Sequence, residues 1–186
     1  MQKQNLSIEA QQVLKEAELL HTSTDVENAI DHMATEITTA LRDKNPLLLC
    51  LMIGGVVPAG MLIPKLDFPL EIDYIHATRY RGETSGSDIK WLKNPDISLN
   101  NRTILLIDDI LDEGITLKEI IDECKKQGAA EIFTAVLVDK QLNRPRALNK
   151  ANFTGLSVPN RYVFGYGMDY KGYLRNAPGI YAVKGL

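Results

Sequence analysis

The chain has 186 residues, 24% of them charged and 45% hydrophobic, and a formal net charge of -3. That length suits one domain with its own core, and scattered basic residues within an acid excess make nucleic acid a poor partner. Cys50 and Cys124 lie inside apolar patterns and read as core thiols of a reducing compartment. With no signal-like apolar segment at the start and no run long enough to span a bilayer, the expected location is cytoplasmic and the expected membrane role is none.

Residues 7–20 show helical spacing, with Ile8, Val13, Leu14, Ala17 and Leu20 on one side and Ser7 as the expected N-cap. His21 to Asp25 reads as a break. A second helix, capped by Thr24 or Asp25, is expected to about Arg42, carrying Val26, Ile30, Met33, Ile37 and Leu41 on its apolar stripe. His21 and His32 read as surface or packing residues.

Leu47 to Ile53 is a buried strand running into Gly54-Gly55, and the next helix is expected to begin at Pro58. Glycines here permit a main-chain anion site; a tight strand-to-helix turn explains them equally well. Leu70 to Ala77 is another strand, with Glu71, Asp73 and His76 suggesting an edge position. Thr78 to Asp88 is polar, bears glycines and exceeds what a hairpin turn needs, which fits either a lid or a solvated tip. Trp91 brings the chain back to the sheet.

The organising stretch is Ile104 to Leu117. Thr103 to Ile107 is a strand apolar on both faces; Asp108, Asp109, Asp112, Glu113, Gly114 and Thr116 follow before a helix, Leu117 to Gln127, closed by Gly128. A helix start behind a parallel strand suits a phosphate, whereas four acids beside it repel one. A ligand with ribose hydroxyls, or a Mg²⁺ bridge, removes the conflict. Both point to a ribose phosphate. A Walker phosphate loop is excluded because no lysine precedes Thr116.

Glu131 to Val138 is a further buried strand, ending in Asp139-Lys140. Lys140 thus shares a sheet edge with Asp108, where it can donate to a ligand carbonyl; an ordinary strand-end lysine explains the position as well. Residues 141–157 read mostly as loop. Tyr162 to Tyr170 mixes aromatic residues, glycines and Asp169, either as core packing or as a platform for a planar base, and Arg175 follows.

From about residue 45 onward these motifs resemble the type I phosphoribosyltransferases, and among them the hypoxanthine-guanine phosphoribosyltransferases. The carriers are the strand with two acids, two apolar residues and Asp-x-Gly-x-Thr at 108–116, Lys140 after the next strand, and the aromatic-Val-x-Gly-Tyr segment that ends at Asp169-Tyr170. The resemblance implies an α/β fold: a central, mostly parallel sheet flanked by helices, a small hood lobe and a mobile lid loop. It implies one domain, with N-terminal helices at 1–44, a core at 45–140 and a purine-binding hood at 141–186.

It further implies 5-phosphoribosyl-1-pyrophosphate (PRPP) and a 6-oxopurine as ligands, Mg²⁺ as cofactor, and a homodimer or homotetramer, for which residues 1–44 are available as interface. By the same resemblance Asp108 and Asp109 hold the ribose hydroxyls, directly or through Mg²⁺, and Asp112 is the catalytic acid/base at purine N7. Glu113, Gly114, Ile115 and Thr116 wrap the 5′-phosphate. Ile53, Gly54, Gly55 and Arg175 bind pyrophosphate, with Met52-Ile53 as a cis peptide. Lys140 meets the purine O6, Tyr162 stacks on the base and Val163 reads its edge. Asp169 joins Asp108 and Asp109 as a metal-facing acid, and Arg79 and Tyr80 belong to the lid. The chain departs from the usual pattern at Asp108 (often Glu), Ile53 (often Lys) and Arg79 (often Ser). The rival functions are a PRPP-binding regulator and transfer to another base such as xanthine.

Overall fold

Residues 2–79 and 89–186 are described by a computed structural model. In chain order the elements begin α1 (Gln2–Glu16), β1 (Glu18–Thr22), α2 (Ser23–Leu41), β2 (Leu47–Met52), α3 (Val56–Leu62), β3 (Glu71–Arg79) and β4 (Ile89–Lys93). They continue β5 (Thr103–Leu111), α4 (Ile115–Lys126), β6 (Glu131–Gln141), β7 (Phe153–Pro159), β8 (Val163–Phe164) and β9 (Gly179–Ala182).

Among the described residues, six strands form the main sheet in the order β4-β3-β2-β5-β6-β7. All pairs in it are parallel except β3 with β4. Alternate residues of the central strands serve opposite faces. Leu48 and Cys50 of β2, with Leu105 and Ile107 of β5, pack under α2 against Ile30, Met33, Ile37 and Leu41. Leu47, Leu49, Ile104 and Leu106 pack under α4 against Leu117, Ile120 and Cys124. A strand with helices on both faces has no polar side, which is why these segments read as unbroken apolar runs.

β3 lies on one side of β2 and β5 on the other. The chain therefore reverses its direction of travel across the sheet between β2 and β5, and the crevice beyond their carboxyl ends is the expected ligand position of an open α/β sheet. A second sheet, β1-β9-β8, roofs this region as the hood. Its outer strand comes from the N-terminal part of the chain and pairs antiparallel with β9, from Glu18↔Ala182 to Thr22↔Gly179.

The structure corrects several sequence expectations. α1 spans Gln2–Glu16, so Ser7 is an interior residue. The stretch read as helix end and break is β1, whose partner lies at the far end of the chain and leaves no local signal. The N-cap of α2 is Thr22, in a capping box with Asp25 at the third helical position, in place of Thr24 or Asp25. α3 starts at Val56, two residues before Pro58, with Gly55 as its N-cap. Pro58 still lies in the first turn, where an amide hydrogen has no intrahelical partner to lose.

β3 is an interior strand and β4 the edge. Its polar Asp73 is explained by three backbone amides, those of Tyr74, Asp96 and Ile97, at 2.7, 2.7 and 3.0 Å. β5 continues past Ile107 through Asp108 and Asp109 to Leu111, because β6 is long enough to pair with it as far as Leu111↔Asp139. α4 begins at Ile115, earlier than Leu117. The expected loop at 141–157 contains the start of β7, a parallel neighbour of β6. Gly128 closes α4 as expected, with φ 85°. Both cysteines are free and buried, and no described helix is long and apolar enough to cross a membrane.

Candidate active site

Two adjoining cavities open beyond the carboxyl ends of β2, β5 and β6. The larger, about 580 Å³, is bordered by Ile53, Gly54, Asp109, Asp112, Thr116, Lys140, Tyr162, Val163, Asp169 and Arg175. The smaller, about 240 Å³, is bordered by Asp108, Asp109, Asp112, Glu113, Gly114 and Thr116. Asp109, Asp112 and Thr116 border both and mark where the two join.

Gly55 and Ile115, two of the sequence candidates among the described residues, border neither cavity. The Gly55 amide donates to Leu51 O at 2.8 Å. A Cβ there would lie 2.5 Å from Ile107 O, so this glycine lets α3 leave β2 against the neighbouring strand. Arg79 ends β3, and Tyr80 lies outside the described residues, as does most of the expected lid. Met52-Ile53 is a cis peptide.

The acidic cluster is tightly built. Asp109 is 8% exposed. A Cβ on Gly54 would lie 2.2 Å from its Oδ2. One on Gly167, which has φ 108°, would lie 2.2 Å from Gly54 O and 3.1 Å from the Asp109 Cβ. Two glycines from different lobes therefore clasp one carboxylate. Asp108 Oδ1 accepts the amide of Asp109 at 2.9 Å, and Asp109 Oδ1 that of Ile110 at 2.8 Å. Burial, and then the Asp109 charge, hold the Asp108 carboxyl well above the ordinary carboxylate range. Burial also raises Asp109, against the Asp108 hydrogen bond and the Arg175 charge that lower it. Burial, with both charges adding, pushes the Cys50 thiol behind them to about 11.

Arg175 links the hood to this cluster. Its Nη2 is 2.5 Å from Asp169 Oδ1 and its Nη1 is 3.8 Å from Asp109 Oδ2; Nη1 also donates to Gly167 O. Asp169 is held from behind by the amide of Gly172 at 2.6 Å. At the other end of the larger cavity, Lys140 Nζ donates to Asp112 Oδ2 at 2.6 Å. The Lys140 side chain is 12% exposed and that of Asp112 43%, so the pair is anchored on its lysine side and open on its acid side. Tyr162, at 41% exposure, offers its ring to the same space.

Met52, His76, Ala77, Thr78, Ile110 and Met168 also border the larger cavity, and none of them carried an expected ligand-binding role. Arg144 and Arg146 were lost inside the expected loop. Arg144 Nη2 pairs with Glu113 Oε1 at 2.6 Å, and a Cβ on Gly114 (φ 73°) would meet Leu148 N at 2.8 Å. The Arg-Pro-Arg run at 144–146 was the available clue.

A parallel sheet with a helix start behind its acidic strand, and a second anchored cation facing a shared cavity, defines a phosphoribosyltransferase architecture. Residues 17–171 match the family described as the phosphoribosyl transferase domain. The chain is 31% identical over 166 residues to the hypoxanthine-guanine-xanthine phosphoribosyltransferase of Tritrichomonas foetus, covering 89% of this chain and 91% of that one. It is 32% identical over 167 residues to the hypoxanthine-guanine phosphoribosyltransferase of Bacillus subtilis, covering 89% and 92%. Its fold is similar to the crystal structure of a hypoxanthine phosphoribosyltransferase from Staphylococcus aureus, with TM-score 0.85, 29% identity and coverage of 91% and 93%. The chain belongs to the type I phosphoribosyltransferase family and, within it, to the hypoxanthine-guanine phosphoribosyltransferases.

Proposed function

We propose that this protein transfers the 5-phosphoribosyl group of PRPP to N9 of hypoxanthine or guanine in purine salvage, giving IMP or GMP and pyrophosphate. The observation that carries the reading is the Lys140–Asp112 pair in the wall of a cavity that also holds Tyr162 and adjoins the acidic strand end. An ammonium only donates, so it suits a 6-oxo group and opposes the 6-amino group of adenine. A carboxylate beside it accepts the N7 proton. As the C1′–O bond to pyrophosphate breaks, the N9 lone pair forms the new bond and the N7 proton passes to Asp112.

Asp108 and Asp109 hold the ribose hydroxyls in this scheme, and the turn at Glu113 to Thr116 holds the 5′-phosphate, mainly through amides at the start of α4. Arg175 and the loop at Ile53 and Gly54 take the pyrophosphate. Tyr162 stacks on the base and Val163 reads its edge. Holding two ligands in line contributes on the order of 7–11 kcal/mol at best.

Asp108, Asp109 and Asp169 offer hard oxygen donors of the kind Mg²⁺ takes. The described residues contain no ready-made cluster of three such ligands, which suits a cation that shares its shell with substrate oxygens. When bound, Mg²⁺ supplies charge neutralisation for the pyrophosphate and ribose oxygens. Two buried free thiols accord with a cytoplasmic location. Ile72, Tyr74 and Leu92, exposed on the β3–β4 hairpin, support a homo-oligomer; sedimentation analysis measures it.

The deciding experiment is a spectrophotometric assay with PRPP, Mg²⁺ and, in turn, hypoxanthine, guanine, xanthine and adenine. Turnover of hypoxanthine or guanine is expected, and no turnover of any 6-oxopurine would sink the reading.

A further inference from the structure

Arg146 does not border either cavity. Its side chain is nonetheless only 11% exposed, enclosed between the two strand ends that carry the base-reading pair. Nη1 is 2.6 Å from Asp139 Oδ1 and 3.1 Å from Lys140 O on β6. The same nitrogen lies 3.3 Å from Leu111 O and 3.4 Å from Asp112 O at the end of β5. Nη2 donates to Asn149 O at 2.6 Å, which fixes the far side of the guanidinium.

These acceptors sit where β5 and β6 stop pairing with each other. The β5–β6 ladder ends at Leu111↔Asp139. Asp112 and Lys140 are the next residues on each strand, and their side chains meet at 2.6 Å with no ladder between them. Strand-end carbonyls need another donor. Nη1 shares its two N–H groups among these four acceptors while Nη2 holds Asn149 O, and a lysine, with one nitrogen, cannot supply both points of attachment. Asp139 neutralises the buried cation. Ala147 N reinforces the brace by donating to Glu113 O at 3.0 Å.

We propose that Arg146 is a positioning residue for base recognition: it ties the backbone of Asp112 to that of Lys140 and so sets the separation of the two side chains. The proposal rests on the purine-transfer reading only for its kinetic consequence. A misplacement of about 1 Å at a reacting pair costs roughly 10²-fold in rate, and the misplaced groups here are those that touch the base.

Arg146→Lys and Arg146→Ala are compared with wild type by steady-state kinetics and by hydrogen exchange of the ligand-free protein. In Arg146→Lys, kcat/KM for guanine and hypoxanthine is expected to fall about 10- to 100-fold, with preference over adenine narrowed and KM for PRPP changed less than about threefold. Amides at 111–114 and 139–142 are expected to exchange faster, while those of β2 and α2 keep wild-type protection. Wild-type base preference and wild-type exchange at 111–114 in a folded variant would overturn the proposal. So would losses for base and PRPP in equal proportion, which is what a generally loosened protein gives. If Arg146→Ala does not fold, Arg146→Lys decides alone. Should neither fold, Asp139→Asn, which loosens the guanidinium without removing it, is read by the same measures. A wild-type protein that turns over no 6-oxopurine would refute the purine reading, and exchange at 111–114 would still judge Arg146.

Discussion

Lys140 Nζ and Asp112 Oδ2 are hydrogen-bonded at 2.6 Å, so the two groups assigned to a purine hold each other. The ammonium keeps further hydrogens and the carboxylate a second oxygen, so in the proposed scheme a base adds one hydrogen bond to each. An adenine would set its 6-amino group against the ammonium, donor to donor. Replacing Lys140 by Ala removes one charged hydrogen bond, worth roughly 1.5–3 kcal/mol. A fall of about 10- to 150-fold in kcat/KM for guanine and hypoxanthine is expected, with adenine discrimination largely lost. Competition between bases at fixed PRPP measures it.

Gly54→Ala tests the clasp on Asp109. The new methyl would start 2.2 Å from Asp109 Oδ2, and moving the carboxylate away would disturb the hydrogen bond from the Ile110 amide to its Oδ1. Overpacking of this kind costs about 1–3 kcal/mol. A modest loss of thermal stability is expected together with a rise in KM for PRPP well beyond any change in KM for the base.

The acid pair makes a prediction about pH. The Asp108 carboxyl is raised well above its ordinary 3.8 by burial and by Asp109. A carboxyl raised on folding binds its proton more tightly in the native state, so its contribution favours folding below 3.8 and is lost as pH rises through the folded value. Above 3.8 the buried carboxyl is therefore a net cost to the ligand-free protein. Asp108→Asn removes that cost and keeps the oxygen that accepts the Asp109 amide at 2.9 Å. The ligand-free variant is expected to be more stable at neutral pH by about 1 kcal/mol, the gain vanishing as pH falls toward 3.8, while turnover with PRPP falls sharply. Thermal melts across pH and one activity assay decide it.

Arg175→Lys separates geometry from charge. The guanidinium spans Asp169, the Gly167 carbonyl and the neighbourhood of Asp109, and a single ammonium cannot make that span. A loss of roughly 10²-fold in kcat is expected from removing one preorganised donor at a developing charge. The reverse reaction, from IMP and pyrophosphate, should lose at least as much. Initial rates in both directions provide the check.

The central strands were legible because each is buried on both faces and so carries an unbroken apolar run; Leu47 to Leu51 and Thr103 to Ile107 are the clearest cases. Their ends were not. β5 extends through two aspartates because β6 runs alongside it, and pairing of that kind is written in neither strand alone. β1 was missed for the same reason, its partner being β9. In the site, the acids at 108–113, Lys140 and Arg175 stood out by residue type and position, whereas Met52, Ala77 and Met168, which border the same cavity, did not. Gly55 was grouped with the site residues although it faces Ile107 O. Arg146 stayed hidden because most of its partners are main-chain carbonyls of other segments, and a carbonyl has no residue identity to recognise.

The strand order β1-β9-β8 has a consequence for synthesis on the ribosome. The main sheet is complete once β7 has emerged, whereas β1 precedes every strand of that sheet in the chain and has by then been waiting for its partner. The hood closes only when β9 arrives and pairs with it. A nascent chain therefore completes its main sheet before β8 and β9 close the second one, with exposed strand β1 as the edge that must be kept from other partners in the interval.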